Sequence, residues 1–249
     1  MNYLRVGLFI AVASFVMAAS EPARAAPPVD PSAPIEKKDP TGHFLRMHAA
    51  FLQRGKSGPM GLLFLGDSIT ENWHNAPEIW KKYYGQFQPA NFGIGGDSTQ
   101  HVIWRIEHGE LDGIHPKVVV LLIGTNNSGG NTAAEIAAAD TKIVQMIRQK
   151  IPGVKVLLQA IFPRGLRKAD GPKAEVNAKH RKEVIDAVNP VLAGLDDGVN
   201  VRYLDIGAKF LGPDGQVLES LMADHLHPTV AGYQVWADAM QPTLLEMEK

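Results

Sequence analysis

The stretch Leu62–Glu71, LLFLGDSITE, is an apolar run that ends in Gly-Asp-Ser. Two readings compete for it. Gly66, Asp67 and Ser68 are residue types that favour a turn followed by a helix N-cap. A serine at the tip of a buried strand is also where acyl-transfer chemistry needs a nucleophile. That chemistry requires three further parts: a base, a group that orients the base, and hydrogen-bond donors for the developing oxyanion. Of the nine His in the chain, His43, His48, His74, His101, His108, His115 and His180 fall in or beside helices and loops where the sequence offers no acid partner. Residues 224–228 differ, reading DHLHP. Asp224 and His227 stand three apart, and a short turn lets the carboxylate reach the ring nitrogen that faces away from Ser68. His225 is the rival base, but it leaves the backbone in another direction from its adjacent Asp. Asp224, His225 and His227 also admit a metal site, for which no further ligand stands at sensible spacing.

Two loops offer donors. Asn91 to Asp97, NFGIGGD, packs three Gly into seven positions, and Gly lets a backbone N–H approach a ligand closely. The competing readings are a tight strand-to-helix turn and a dinucleotide loop, but the G-x-G-x-x-G spacing is not completed. In Gly124-Thr125-Asn126-Asn127, an Asn serves as a turn residue or aims its side-chain amide at a negative oxygen.

These residues need a scaffold that brings them together. Periodicity predicts helices over 42–54, 77–84, 98–108, 132–150, 173–195 and 229–247. It predicts strands over 60–65, 89–92, 117–123, 154–161 and 199–204, the clearest being the apolar KVVVLLI run at 117–123. Strands alternating with helices of this length imply parallel βαβ units in a doubly wound α/β sheet. Ligands of such sheets bind beyond the carboxyl ends of the strands. Ser68, Gly96 and Asn126 each follow a strand, so they are expected along one rim, joined by Pro163-Arg164-Gly165 after the fourth strand. Arg164, Arg167, Lys168 and Lys173, in the loop after that strand, read as solvated charges, the alternative being contact with an anionic or sugar leaving group. Trp80, Trp104 and Trp236 read as core, and Trp73 as core or substrate platform.

Residues 1–25 differ from the rest. A short basic start, the uncharged run Val6–Ala19 and Ala23-Arg24-Ala25 fit a secretory signal peptide with a cleavage site, the alternative being an uncleaved anchor. Residues 26–40 are Pro-rich and read as a linker or poorly ordered arm, leaving one domain over 41–249. The chain has no Cys, so no disulfide framework is available. Its formal net charge is −1; removing residues 1–25 takes away two Arg and one Glu and leaves −2. That balance gives no electrostatic case for nucleic acid or an acidic membrane surface. A periplasmic or extracellular protein that does not insert stably in a membrane after cleavage is expected.

Taken together, Gly66-Asp67-Ser68-Ile69-Thr70, Gly93-Ile94-Gly95-Gly96-Asp97, Gly124-Thr125-Asn126-Asn127 and Asp224-x-x-His227 resemble the four blocks of the SGNH hydrolases, or GDSL lipases/esterases. Asn91 to Asn127 is most similar to the catalytic subunits of intracellular platelet-activating-factor acetylhydrolase and their bacterial relatives. The resemblance runs from Leu62 to the final helix and is weak over 163–222. It implies that Ser68 is the nucleophile, His227 the general base and then acid, and Asp224 the group that orients it. It further implies an oxyanion hole of the Ser68 and Gly96 N–H groups with the Asn126 side chain. A flavodoxin-like sheet of five parallel strands, no metal or other cofactor, and a homodimer as one assembly state also follow from it. The short segments after the first three strands suit an acetyl or other short acyl group. Secreted bacterial members of the family resemble esterases that deacetylate polysaccharides. The alternatives are a lysophospholipase or thioesterase-like acylhydrolase, and a non-catalytic carbohydrate-binding protein on the same fold.

Overall fold

The computed structural model describes residues 29–249; the expected signal peptide and its cleavage site lie outside the described residues. Five strands form one parallel sheet: β1 Leu62–Gly66, β2 Pro89–Gly93, β3 Val118–Leu122, β4 Lys155–Gln159 and β5 Val201–Leu204, in the order β2-β1-β3-β4-β5. This is the flavodoxin-like order, as expected. The helices are α1 His43–Lys56, α2 Ser68–Glu71, α3 Pro77–Tyr84, α4 Thr99–Glu107, α5 Ala133–Lys150, α6 Ala174–Ala193 and α7 Val230–Met247. Predicted boundaries agree to within about three residues. The exception is α2, a single turn that periodicity cannot detect.

Alternation along the strands divides the core into two layers. Leu63 and Leu65 join Val119, Leu121, Val156 and Leu158 against α1, α4, α5 and α6. Leu62 and Phe64 join Val118, Val120 and Leu157 against α3 and α7. With both faces covered, β1 and β3 are buried at every residue, which is why they read as unbroken apolar runs. Trp73 is 1% exposed and packs among Phe64, Trp80, Tyr84, Tyr233 and Trp236, so it is core rather than a platform. Trp236 is fully buried, whereas Trp80 and Trp104 are only half-buried at the core's margin.

Helix starts are set by local chemistry. The α5 entry is a capping box: the Glu135 N–H donates to Thr132 Oγ1 (3.3 Å) and the Thr132 N–H to Glu135 Oε2 (2.8 Å). In α4 the same device uses a histidine, with the Ser98 N–H donating to His101 Nδ1 (2.9 Å). Thr229 caps α7, and Tyr233 one turn later donates its hydroxyl to the Ile69 carbonyl in α2 (2.7 Å). That bond draws the start of the last helix, and the loop before it, to the tip of β1.

The Pro-rich stretch read as a linker carries no helix or strand over 29–40, yet it is tied down along its length. Thr99 Oγ1 donates to the Pro31 carbonyl (2.9 Å), Asn131 Nδ2 to that of Val29 (2.9 Å) and Lys142 Nζ to that of Ser32 (2.8 Å). The Ile35 N–H donates to the Gln100 carbonyl (3.2 Å). Proline content predicts an extended chain, and it does not prevent the carbonyls from accepting these bonds.

Arg105, fully buried in α4, ties the strand ends together. Its guanidinium donates to the Phe92 carbonyl (3.0 Å), the Gly66 carbonyl (3.2 Å) and Glu110 Oε1 (2.5 Å), and pairs with Asp97 Oδ2 (3.0 Å). Glu110 in turn meets His48 Nδ1 (3.2 Å). Removing one partner of such a cluster leaves its charges buried and uncompensated. Arg105→Met is expected to lower unfolding free energy by about 3–5 kcal/mol, read by urea denaturation; a loss below about 1 kcal/mol would contradict this placement.

Candidate active site

The helix-cap reading of Gly66-Asp67-Ser68 holds, with Asp67 as the cap of α2. Its Oδ1 accepts the Ile69 N–H (2.9 Å). Ser68 is the first residue of that helix and stands at the rim. Its Oγ lies 2.9 Å from His227 Nε2 across 159 positions of sequence. His227 Nδ1 lies 2.8 Å from Asp224 Oδ2, and Asp224 Oδ1 accepts the N–H groups of Leu226 (3.1 Å) and His227 (2.8 Å). The Asx turn so formed aims the carboxylate at the ring. A neutral ring that donates Nδ1–H to Asp224 presents Nε2 as an acceptor for the Ser68 hydroxyl. Burial pushes the Asp224 carboxyl up. The backbone N–H and ring of His227, with the Arg167 guanidinium, outweigh it and hold the carboxyl below the usual range. His225 adopts φ 58° and turns its Nε2 to Glu219 (3.3 Å).

The glycine loop crosses the same rim. Gly93 touches the α2 backbone so closely that a Cβ there would collide with Glu71 and Asp67. Gly96 sits at φ 72°, a conformation open to Gly at little cost. Asn126 Nδ2 donates to the Asp97 carbonyl (2.7 Å), which joins the loop after β3 to the loop after β2. An amide nitrogen carries two hydrogens, so the second remains for a ligand. The structure brings Ser68, His227 and Asp224 into one hydrogen-bonded chain and ties Asn126 to the loop that carries Gly96. They gather where chain order along the sheet reverses between β1 and β3, the switch point at which doubly wound sheets open a crevice.

Several participants were not anticipated. Arg167 is not a free loop charge: Nη2 pairs with Asp224 Oδ2 (2.9 Å) and Nε donates to the Asp224 carbonyl (3.2 Å). It reaches there because the loop after β4 folds back, the Gly165 N–H bonding the His225 carbonyl (3.0 Å). Arg164 is buried and Lys173 exposed; the Lys168 side chain lies outside the described part. His43 and His48 do have acid partners, Glu71 (2.9 Å) and Glu110 (3.2 Å). A hollow of about 490 Å³ is lined in part by Leu166, Arg167, Glu219, Ala223, Asp224 and His225.

Asp67 is fully buried directly beside Ser68, and its Oδ2 has no hydrogen-bond partner among the described residues. Burial first, then the negative field of Asp97, push its carboxyl up to about 7 against the pull of the Ile69 N–H. The native state therefore holds a proton that the unfolded chain releases near the ordinary aspartate value of 3.8. Its contribution to stability is complete below that value and is lost as pH rises through about 7. Asp67→Asn keeps the Oδ1 cap and removes the titration. Denaturation free energies at pH 5 and 8 should show a smaller decline in the variant than in the parent; equal declines would contradict the buried, protonated state.

The sequence profile of the GDSL-like Lipase/Acylhydrolase family matches residues 64–235. The chain is 34% identical over 214 residues to the human platelet-activating factor acetylhydrolase IB subunit alpha1, covering 86% of this chain and 88% of that one. It is 38% identical over 191 residues to the mouse subunit alpha2, covering 76% and 78%. Among solved structures, a GDSL-like lipase from Bacteroides thetaiotaomicron superposes with TM-score 0.64 at 16% identity, over 80% of this chain and 97% of that one. A carbohydrate acetylesterase from Sinorhizobium meliloti superposes with TM-score 0.61 at 15% identity, over 76% and 99%. The chain belongs to the GDSL-like lipase/acylhydrolase family, the SGNH hydrolases, and is a hydrolase of that family.

Proposed function

We propose that this protein is a secreted serine esterase that hydrolyses short-chain acyl esters, chiefly acetyl, through an acyl-enzyme. The observation that carries the reading is the unbroken chain from Ser68 Oγ through the His227 ring to Asp224, with contacts of 2.9 and 2.8 Å. Ser68 Oγ attacks the ester carbonyl carbon while its proton passes to His227 Nε2. The oxyanion is held by the N–H groups of Ser68 and Gly96 and the free hydrogen of the Asn126 amide. Collapse breaks the bond to the alcohol oxygen, which takes the proton from His227. Water then repeats the sequence on the acyl-Ser68 ester: His227 removes its proton, the acid is released and Ser68 recovers its hydrogen. Asp224 fixes the tautomer and stabilises the imidazolium that forms in each half.

Loop lengths support a small acyl group. Only Asp67 separates β1 from α2, and five residues separate β2 from α4, so no inserted lid covers the rim there. The wall beside Asp224 carries Arg167 and Glu219, which suits a hydrophilic alcohol half such as a sugar better than a lipid tail. The acetylesterase from Sinorhizobium meliloti, named for carbohydrate, is consistent with a polysaccharide substrate. The matched platelet-activating factor acetylhydrolase subunits also bear names that point to acetyl removal. Secretion is supported by the sequence of residues 1–25; among the described residues no helix is long and apolar enough to cross a membrane.

Ser68→Ala is expected to lower kcat on p-nitrophenyl acetate by about 10³-fold or more while the protein stays folded. A variant hydrolysing at the parent rate would overturn the assignment. Across a series of p-nitrophenyl esters, kcat/KM should fall from acetyl to decanoyl, and acetate should be released from acetylated xylan faster than fatty acid from a lysophospholipid. The reverse order on both would favour the lysophospholipase reading.

A further inference from the structure

Lys37 belongs to the segment before the first helix, and no motif marks it. Its position is fixed on both sides. Two residues earlier the Ile35 N–H is bound to Gln100 in α4. Two residues later Asp39 accepts the N–H groups of Thr41 and Phe44 (2.9 Å each) at the start of α1. Between these anchors the half-buried Lys37 side chain reaches over the glycine loop, where Nζ donates to the Gly95 carbonyl and lies 3.5 Å from Asp97 Oδ1. A Cβ added to Gly96 would stand 3.1 Å from that nitrogen.

The Gly95 carbonyl and the Gly96 N–H are two ends of one planar peptide unit. Whatever holds the carbonyl sets where the N–H points. A cation on the oxygen also draws electron density along the amide, making the N–H a stronger donor, since charge-assisted hydrogen bonds polarise their partners. On the other side of the same loop the Gly95 N–H donates to Glu71 Oε2 (2.6 Å), so Gly95 is gripped at both its N–H and its carbonyl.

We propose that Lys37 is a positioning residue for the oxyanion hole: by binding the Gly95 carbonyl it orients and polarises the Gly96 N–H. The proposal rests on the reading of Gly96 as an oxyanion donor. It gives the segment preceding the α/β domain a part in the reaction, since that donor is only partly fixed without it. The ammonium does not touch the substrate; it acts through the peptide.

The test compares full-length parent, Lys37→Met and Lys37→Arg by steady-state kinetics on p-nitrophenyl acetate and by the amide resonance of Gly96 in 15N-labelled protein. Lys37→Met is expected to lower kcat about 10–50-fold, less than loss of a direct oxyanion donor, with KM changed less than about threefold. Its Gly96 amide proton should move upfield, and Lys37→Arg should recover most of both effects, because a cation is restored. An Lys37→Met kcat within twofold of the parent, an unmoved Gly96 resonance, or an equal loss in Lys37→Arg would each overturn the proposal. A parent that hydrolyses no acyl ester would instead overturn the esterase reading. The Gly96 resonance would then decide the Lys37 contact alone.

Discussion

The rim depends on one buried cation. Arg105 reaches the last carbonyl of β1 at Gly66, the Phe92 carbonyl in β2, Asp97 in the glycine loop and Glu110 after its own helix. The first three of these groups lie within two, four or one positions of Ser68 or Gly96. A parallel sheet delivers loops to the same edge, but only to within the slack of each loop. The guanidinium removes that slack, because its donors point in fixed directions within one plane. Burial would otherwise drive the Asp97 carboxyl up still further; Arg105 and Lys37 oppose it, and the carboxyl rests at about 6. The same two cations, after burial itself, hold the half-buried His101 ring down at about 4, so it remains a neutral acceptor for the Ser98 N–H at the α4 cap.

Around this hub the remaining parts arrive from far apart in the chain. The tip of β1 supplies Ser68, the loop after β3 supplies Asn126, and the turn before α7 supplies His227. The hydroxyl of Tyr233 on Ile69 and the Asn126 amide on the Asp97 carbonyl are cross-braces between these arrivals. Arg167 adds a fourth loop by gripping Asp224 through both its side chain and its carbonyl. The Ser68–His227 contact thus has support behind each partner, which a productive geometry held to a fraction of an ångström requires.

Much of this was legible in the residues. Alternating apolar strands and amphipathic helices imposed the parallel sheet, and the rule that ligands sit beyond the strands' carboxyl ends put Ser68, Gly96 and Asn126 on one rim. Asp224 and His227 could be paired because an Asp three residues before a His in a short turn has little other geometry available. Arg105 was harder to see. It stands among Val102, Ile103 and Ile106 on a buried helix stripe, and a charge at such a position is a signal, but its partners come from other elements. Arg167 looked like any loop cation, since only the folding back of the 163–173 loop brings it to Asp224. Lys37 was hidden by composition: a Pro-rich stretch suggests an untethered chain, and tertiary hydrogen bonds to its carbonyls leave no mark in sequence. The single turn α2 is too short for any period to register.

The central claim is that Ser68 is an activated nucleophile and not merely a helix residue beside a histidine. Its most direct test is intact-mass and peptide mapping of the parent protein after treatment with a fluorophosphonate. One phosphonyl adduct is expected, located on Ser68, with a rate of formation that collapses in His227→Ala. A protein that stays unlabelled, or that carries its adduct on another serine, would contradict it.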